Sequence, residues 1–180
     1  DFDVQTFEPV IGPHGTFTLD RAETIGHLET TAGLYLDYLS EPFVVNRSDG
    51  GTESIIDQQL AADLVAGIGL FDRARLGVHL PIYFANSGSI GEASFEGSGI
   101  GDLTFQPKLR ILKQPEAPLG LGLLVDVSVP TGNADRFIGS STATAAPVAL
   151  VDRTIGRTTI ETNLGLRFQE NQAVRDVEVG

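Results

Sequence analysis

Ala74 to Phe84 reads ARLGVHLPIYF, and this stretch decides the fold. Ala74, Leu76, Val78, Leu80, Ile82 and Phe84 share one parity, and Arg75, Gly77, His79, Pro81 and Tyr83 take the other. Successive side chains of a strand point to opposite faces, so strict period-two alternation predicts a strand with one aliphatic face. A helix would spread the same residues around its whole circumference.

The pattern recurs outward in both directions. In residues 102–112, Leu103, Phe105, Pro107, Leu109 and Ile111 oppose Asp102, Thr104, Gln106, Lys108 and Arg110. In residues 119–130, Leu119, Leu121, Leu123, Val125, Val127 and Val129 oppose Gly120, Gly122, Asp126 and Ser128. Residues 157–168 set Ile160, Leu164, Leu166 and Phe168 against Glu161, Asn163 and Arg167. Leu60 to Leu70 alternates around Asp63, and Leu28 to Tyr38 does so more weakly around Asp37. Thr142 to Asp152 is Ala-rich, which leaves its faces open, and Ala173 to Gly180 reads as the start of an eighth strand. Pro81, Pro107, Pro130 and Pro147 remove ladder donors, so irregular pairing is expected at each.

The connectors alternate in length. Phe71 to Arg73, Lys113 to Pro118 and Arg153 to Gly156 are short, whereas Ala85 to Gly99 and Thr131 to Ser141 are long. A polar stretch, Glu41 to Ser54, is also read as a long loop, into which Phe43 to Val45 extends a strand. Short turns at one end and long loops at the other are the habit of outer-membrane barrels, in which the short turns face the periplasm. The expected fold is therefore all-β: an antiparallel up-and-down transmembrane β-barrel, the N-terminal part of a larger one. Residues 1–27 form a leader segment and residues 28–180 supply about seven strands and part of an eighth.

Composition is consistent with this and excludes several classes. The chain has 180 residues, 21 of them glycine, and no Cys, Met or Trp, which removes thiolate chemistry and disulfide frameworks. The absent Met implies a processed product beginning at Asp1. The first twenty residues carry acids and prolines and do not form a signal peptide. No apolar run is long enough for a helix to cross a bilayer, but a β-barrel needs only about 9–11 residues per strand. With 24 acids against 12 bases the net charge is −12, which argues against nucleic acid as a partner.

Alternation alone does not say which face meets water. In a soluble barrel or sandwich the aliphatic face lines the interior, and the chain is a binding module. In a membrane barrel that face meets lipid, and Asp37, Asp63, Arg75, His79, Asp102, Lys108, Arg110, Asp126, Glu161 and Arg167 line the lumen, where opposite charges pair. Run length, the almost purely aliphatic faces and the mixed charges opposite them favour the membrane reading. Tyr38, Phe84 and Phe168 supply a sparse aromatic rim, with Phe71 at the other end. Tight pairing across the Phe71 turn brings Asp63 opposite or diagonal to His79, and pairing across the Lys113 turn brings Thr104 near Asp126, with Lys108 a few residues along.

Catalytic signals are weak. His79 with Asp63 resembles half of a triad without a nucleophile, so a structural lumen pair is expected. His14 and His27 show no metal-ligand spacing. Gly99-Ile100-Gly101-Asp102 lacks the later glycine and helix of a phosphate loop, and Asp57 and Asp63 are not spaced as an acid–base pair. No cofactor, metal or enzymatic activity is expected.

Three stretches carry a family resemblance: GIGLFDRARLGVHLP at residues 67–81, GIGDLTFQPKLRIL at 99–112 and LLVDVSVPTG at 123–132. Their G-L-x-D-R turn, G-x-G-D-L…P-K strand and P-T-G strand end, followed by Phe137-Ile138-Gly139-Ser140, resemble N-terminal barrels of OmpA-family outer-membrane proteins of the myxobacterial kind. They are also similar to FadL-like barrels associated with meta-pathway degradation of aromatic compounds. The resemblance implies outer-membrane lipid as the surroundings and a structural, envelope-anchoring or small-solute transport role. It further implies another envelope or cell-surface protein as a partner. Peptidoglycan is implied only through a domain this chain does not contain.

Overall fold

The computed structural model describes residues 8–16, 18–46, 52–90, 93–133 and 138–169. These residues are all-β, forming a curled antiparallel sheet with the shape of a partial barrel. The strands are β1 (Thr30–Asn46), β2 (Thr52–Leu70), β3 (Ala74–Ile90), β4 (Ala93–Ile100), β5 (Leu103–Leu112), β6 (Gly120–Val129), β7 (Thr144–Ile155), β8 (Thr158–Gly165) and β9 (Phe168–Gln169). The order β1-β2-β3-β5-β6-β7-β8 is up-and-down, with β4 pairing β3 and β9 pairing β7.

The strand count differs from the sequence expectation in definite places. Residues 85–99, read as a long loop, continue β3 and return as β4, a hairpin that extends β3 beyond its contact with β5. Gly- and Ser-rich alternation is too weakly apolar to signal a strand. Likewise β1 runs through Phe43 to Asn46, and β2 starts at Thr52. The last tight turn falls at Gly156-Arg157, slightly later than expected. The proposed strand at Ala173 to Gly180 lies outside the described residues.

Three prolines sit where ladders break, as their missing donors require. β3 leaves β5 after His79↔Thr104, and Pro81 then accepts the Gly101 N–H at 2.8 Å as β4 takes over. The β5–β6 ladder has no pair at Pro107 and resumes in the same register at Lys108↔Leu124. At Pro147, whose carbonyl accepts the Leu166 N–H, β7 passes from β8 to β9.

The two faces of the sheet differ. Leu34, Leu36, Leu64, Leu76, Phe105, Leu109, Ile111, Leu123, Ile160 and Leu164 are exposed on one face. The opposite face carries Asp63, Arg75, Lys108, Leu124, Leu150 and Asp152, all buried. This settles the open parity of β7: Leu150 and Asp152 belong to the covered face. What covers it is the segment 8–28, which the sequence reading had set apart as leader.

Candidate functional site

The covered face begins with a glycine slot. Gly67 and Gly77 are cross-strand partners on β2 and β3. A Cβ at either would stand 2.9–3.1 Å from the Ile11 side chain, which is fully buried there. Burying an isoleucine stabilises by about 1.5–3 kcal/mol. Nearby, the Val10 carbonyl accepts from the Tyr35 hydroxyl at 3.4 Å.

The charged centre lies next to this slot. Arg75 and Lys108 are directly opposed across β3 and β5. Like charges so placed repel, and both are buried. Asp20 of the N-terminal segment resolves the conflict. Its Oδ2 lies 2.9 Å from Arg75 Nη2 and its Oδ1 2.8 Å from Lys108 Nζ. Lys108 also donates to the Arg21 carbonyl at 2.7 Å, and Arg75 donates to the Ile11 carbonyl and to Gln106 Oε1. Gln106 in turn donates to Asp126 at 2.7 Å. The backbone of Asp20 faces the Asn163 amide, which donates to its carbonyl and accepts from its N–H when the amide is oriented to satisfy both.

The segment is fastened again on β7 and β8. The Ala22 N–H donates to Asp152 Oδ1 at 2.7 Å. Arg21 lies 3.7 Å from both Asp152 and Glu161. The chain then leaves past the β2–β3 turn, where Phe71 and Asp72 both have φ near +55° (55° and 52°). Asp tolerates that conformation but a bulky Phe rarely adopts it, and the N-terminal segment contacts both residues. His27 stacks on Phe71, its Nδ1 accepts the Phe71 N–H at 3.1 Å, and its own N–H donates to Asp72 at 2.8 Å. A Cβ at Gly69 would meet the Gly26 carbonyl at 2.1 Å. The G-L-x-D-R motif is thus a clamp for residues 24–29.

Farther along the sheet, His79 Nε2 and Asp63 Oδ1 are 2.6 Å apart, a diagonal pair because Asp63 opposes Pro81. Asp37 of β1 lies against the Asp63 carboxyl. Beyond them, Ile138 packs on Tyr83 and Ala61. Asp102 ties Gly132 to Ser140 by accepting from the Gly132 N–H at 2.9 Å, the Ser140 N–H at 2.7 Å and the Ser140 hydroxyl at 2.9 Å. Thr131 donates to the Gly101 carbonyl and accepts from the Leu103 N–H, both at 2.9 Å. The G-x-G-D-L and P-T-G motifs are therefore two halves of one clasp. Phe137 lies outside the described residues.

The structure places Asp37, Asp63, Arg75, His79, Lys108, Arg110, Asp126 and Glu161 on strand positions of the covered parity. Asp102 lies in the clasp before β5, and Arg167 between β8 and β9 is exposed and paired with Glu8. The Asp63–His79 contact matches the register argument. Thr104 pairs with Ser128, two residues from Asp126, while Lys108 turns to Asp20 and Asp126 to Gln106. Ile11, Asp20, Ala22, Gln106 and Asp152 were not among the predicted lining residues. One signal for Asp20 was available, since Arg75, Lys108 and Arg110 on adjoining strands need an acid from elsewhere.

Residues 26–180 match the family described by the MetA-pathway of phenol degradation. The chain belongs to that family. The match falls on the meta-pathway side of the resemblance and does not extend to the OmpA family. No curated protein and no solved structure matches the chain.

Proposed function

We propose that this chain forms part of an outer-membrane β-barrel that passes a small solute, with segment 8–28 occupying its lumen. One observation carries the reading: the aliphatic face is bare, whereas the charged face is covered and paired. A soluble barrel or sandwich buries its aliphatic face, so Leu36 at 71% and Leu164 at 66% exposure would be costly in water. In lipid the same face is satisfied, and the inner strands β2, β3, β5, β6 and β7 pair with neighbours on both sides. β5 and β6, at 10 residues each, have the length of membrane-crossing strands. Tyr38, Phe84 and Phe168 are exposed and suit the membrane interface.

The family's description links this barrel to phenol degradation, so the solutes we propose are small aromatic compounds of that chemistry. The role is transport rather than catalysis: His79 and Asp63 serve as a lumen pair. The envelope-anchoring role and a cell-surface protein partner draw no support from the family match. The test is fractionation and gel mobility of the full chain. Recovery only with detergent, and slower migration after boiling, are expected. A protein that stays monomeric in buffer without detergent would overturn the membrane reading. Uptake of phenol by proteoliposomes, compared with empty vesicles, tests the solute.

A further inference from the structure

A cavity of about 310 Å³ opens at the tight-turn end. It lies between Arg21–Glu23 of the N-terminal segment, the end of β5, the turn at Lys113–Pro115 and the end of β7. Its volume is at the lower end of the range for small-molecule sites. We propose that it binds the carboxylate of a small organic acid.

The charges at its wall support this. Arg21, Arg110 and Lys113 line it together with the acids Glu23 and Asp152. Asp152 is already engaged, by the Ala22 N–H and Arg21, and Glu23 lies 3.8 Å from the His14 ring. Arg110 spends one nitrogen on the Asp72 carbonyl and has no carboxylate within ion-pair distance among the described residues. Lys113 is exposed, and its ammonium has no hydrogen bond or ion pair to another described residue. Two cations thus stand without counter-charge in a chain whose net charge is −12. Guanidinium has five donors, and those Arg110 does not use match the geometry of an oxyanion. Ala22, Leu112 and Pro115 add apolar wall, which suits a carbon body behind the charged group. A neutral phenol of equal size lacks the charge, and a bare inorganic anion lacks the apolar part.

The role of this site rests on the transport reading, as a station at the tight-turn mouth of the barrel. Binding itself is measured without any flux. Detergent-solubilised full chain is titrated calorimetrically with benzoate, phenol and sulfate at constant ionic strength. Benzoate is expected to bind roughly ten-fold more tightly than phenol, the worth of one charge-assisted hydrogen bond. Sulfate at equal concentration is expected not to displace it. Lys113→Gln is expected to weaken benzoate about three-fold, as for a partly solvated ion pair, and Lys113→Gln with Arg110→Gln by about ten-fold or more. Because Arg110 also holds the Asp72 carbonyl, the single Lys113 variant is the clean probe, and retained heat-modifiable migration confirms its fold. Absence of benzoate binding, equal affinity for phenol, displacement by sulfate, or an unchanged Lys113→Gln would each overturn the site. Proteoliposome uptake of benzoate is scored separately. Binding without uptake removes the transport reading and leaves the site standing.

Discussion

Asp20→Asn should loosen the N-terminal segment from the covered face. The side chain keeps its shape and loses its charge, leaving Arg75 and Lys108 opposed and buried with no anion between them. Removing one member of a buried charge cluster costs about 3–5 kcal/mol. The lower end applies here, because Lys108 keeps the Arg21 carbonyl and Arg75 keeps Gln106 and the Ile11 carbonyl. About 3 kcal/mol corresponds to roughly a hundred-fold shift in the equilibrium between seated and released segment. The Ala22 amide, bonded to Asp152, is the reporter. Its hydrogen-exchange protection in detergent micelles should fall by roughly that factor, while amides at the centre of β5 and β6 change little. Adding Lys108→Met should restore part of the protection, since one like charge is then gone, and the cycle isolates the coupling. Unchanged protection at Ala22 in Asp20→Asn would refute the claim that Asp20 fastens the segment. Equal loss at Ala22 and in β5 and β6 would show that Asp20 supports the sheet instead.

Other outcomes follow from the same contacts. Gly77→Val should displace Ile11 from its slot and raise exchange in residues 10–22, with Ile11→Ala restoring the fit; the contact is only 2.9 Å before the added methyl groups. Leu36→Arg on the bare face should cost about 2–4 kcal/mol of membrane stability if it sits at mid-bilayer depth, read as a lower urea midpoint in lipid vesicles; a soluble protein would show almost no change. Asp102→Ala removes three hydrogen bonds from Gly132 and Ser140, worth about 1 kcal/mol each, and should raise proteolytic nicking between β6 and β7 without affecting Ala22 protection. Phe71→Ala, which removes the ring stacked on His27, should raise exchange of residues 24–29 more than that of residues 10–22.

Much of the architecture was legible because a strand writes its two faces into alternate residues. Arg75, Lys108, Asp126 and Glu161 could be assigned to one face from parity alone. The short turns could be placed because the apolar runs stop on either side of them. The hairpin of β3 and β4 was not legible, because residues 85–99 are poor in the β-branched and aromatic residues that mark strands. The N-terminal segment was harder still. Residues 8–28 have no period, and an extended chain that lies across a sheet takes its conformation from what it touches. Asp20 therefore reads as an ordinary acid until Arg75 and Lys108, 55 and 88 positions away, are brought beside it.

The sequence by itself determined that this is a chain of long antiparallel strands with one aliphatic face and one charged face, since those properties are local and periodic. It also held the three motifs that carry the resemblance to meta-pathway barrels. Only the tertiary structure decided which face is bare and which is covered. The curl of the sheet decides which side becomes the inside, and the filling of that inside depends on pairings between residues far apart in the chain. The glycines at 67 and 77, blank in the sequence, become a slot only when Ile11 lies across them.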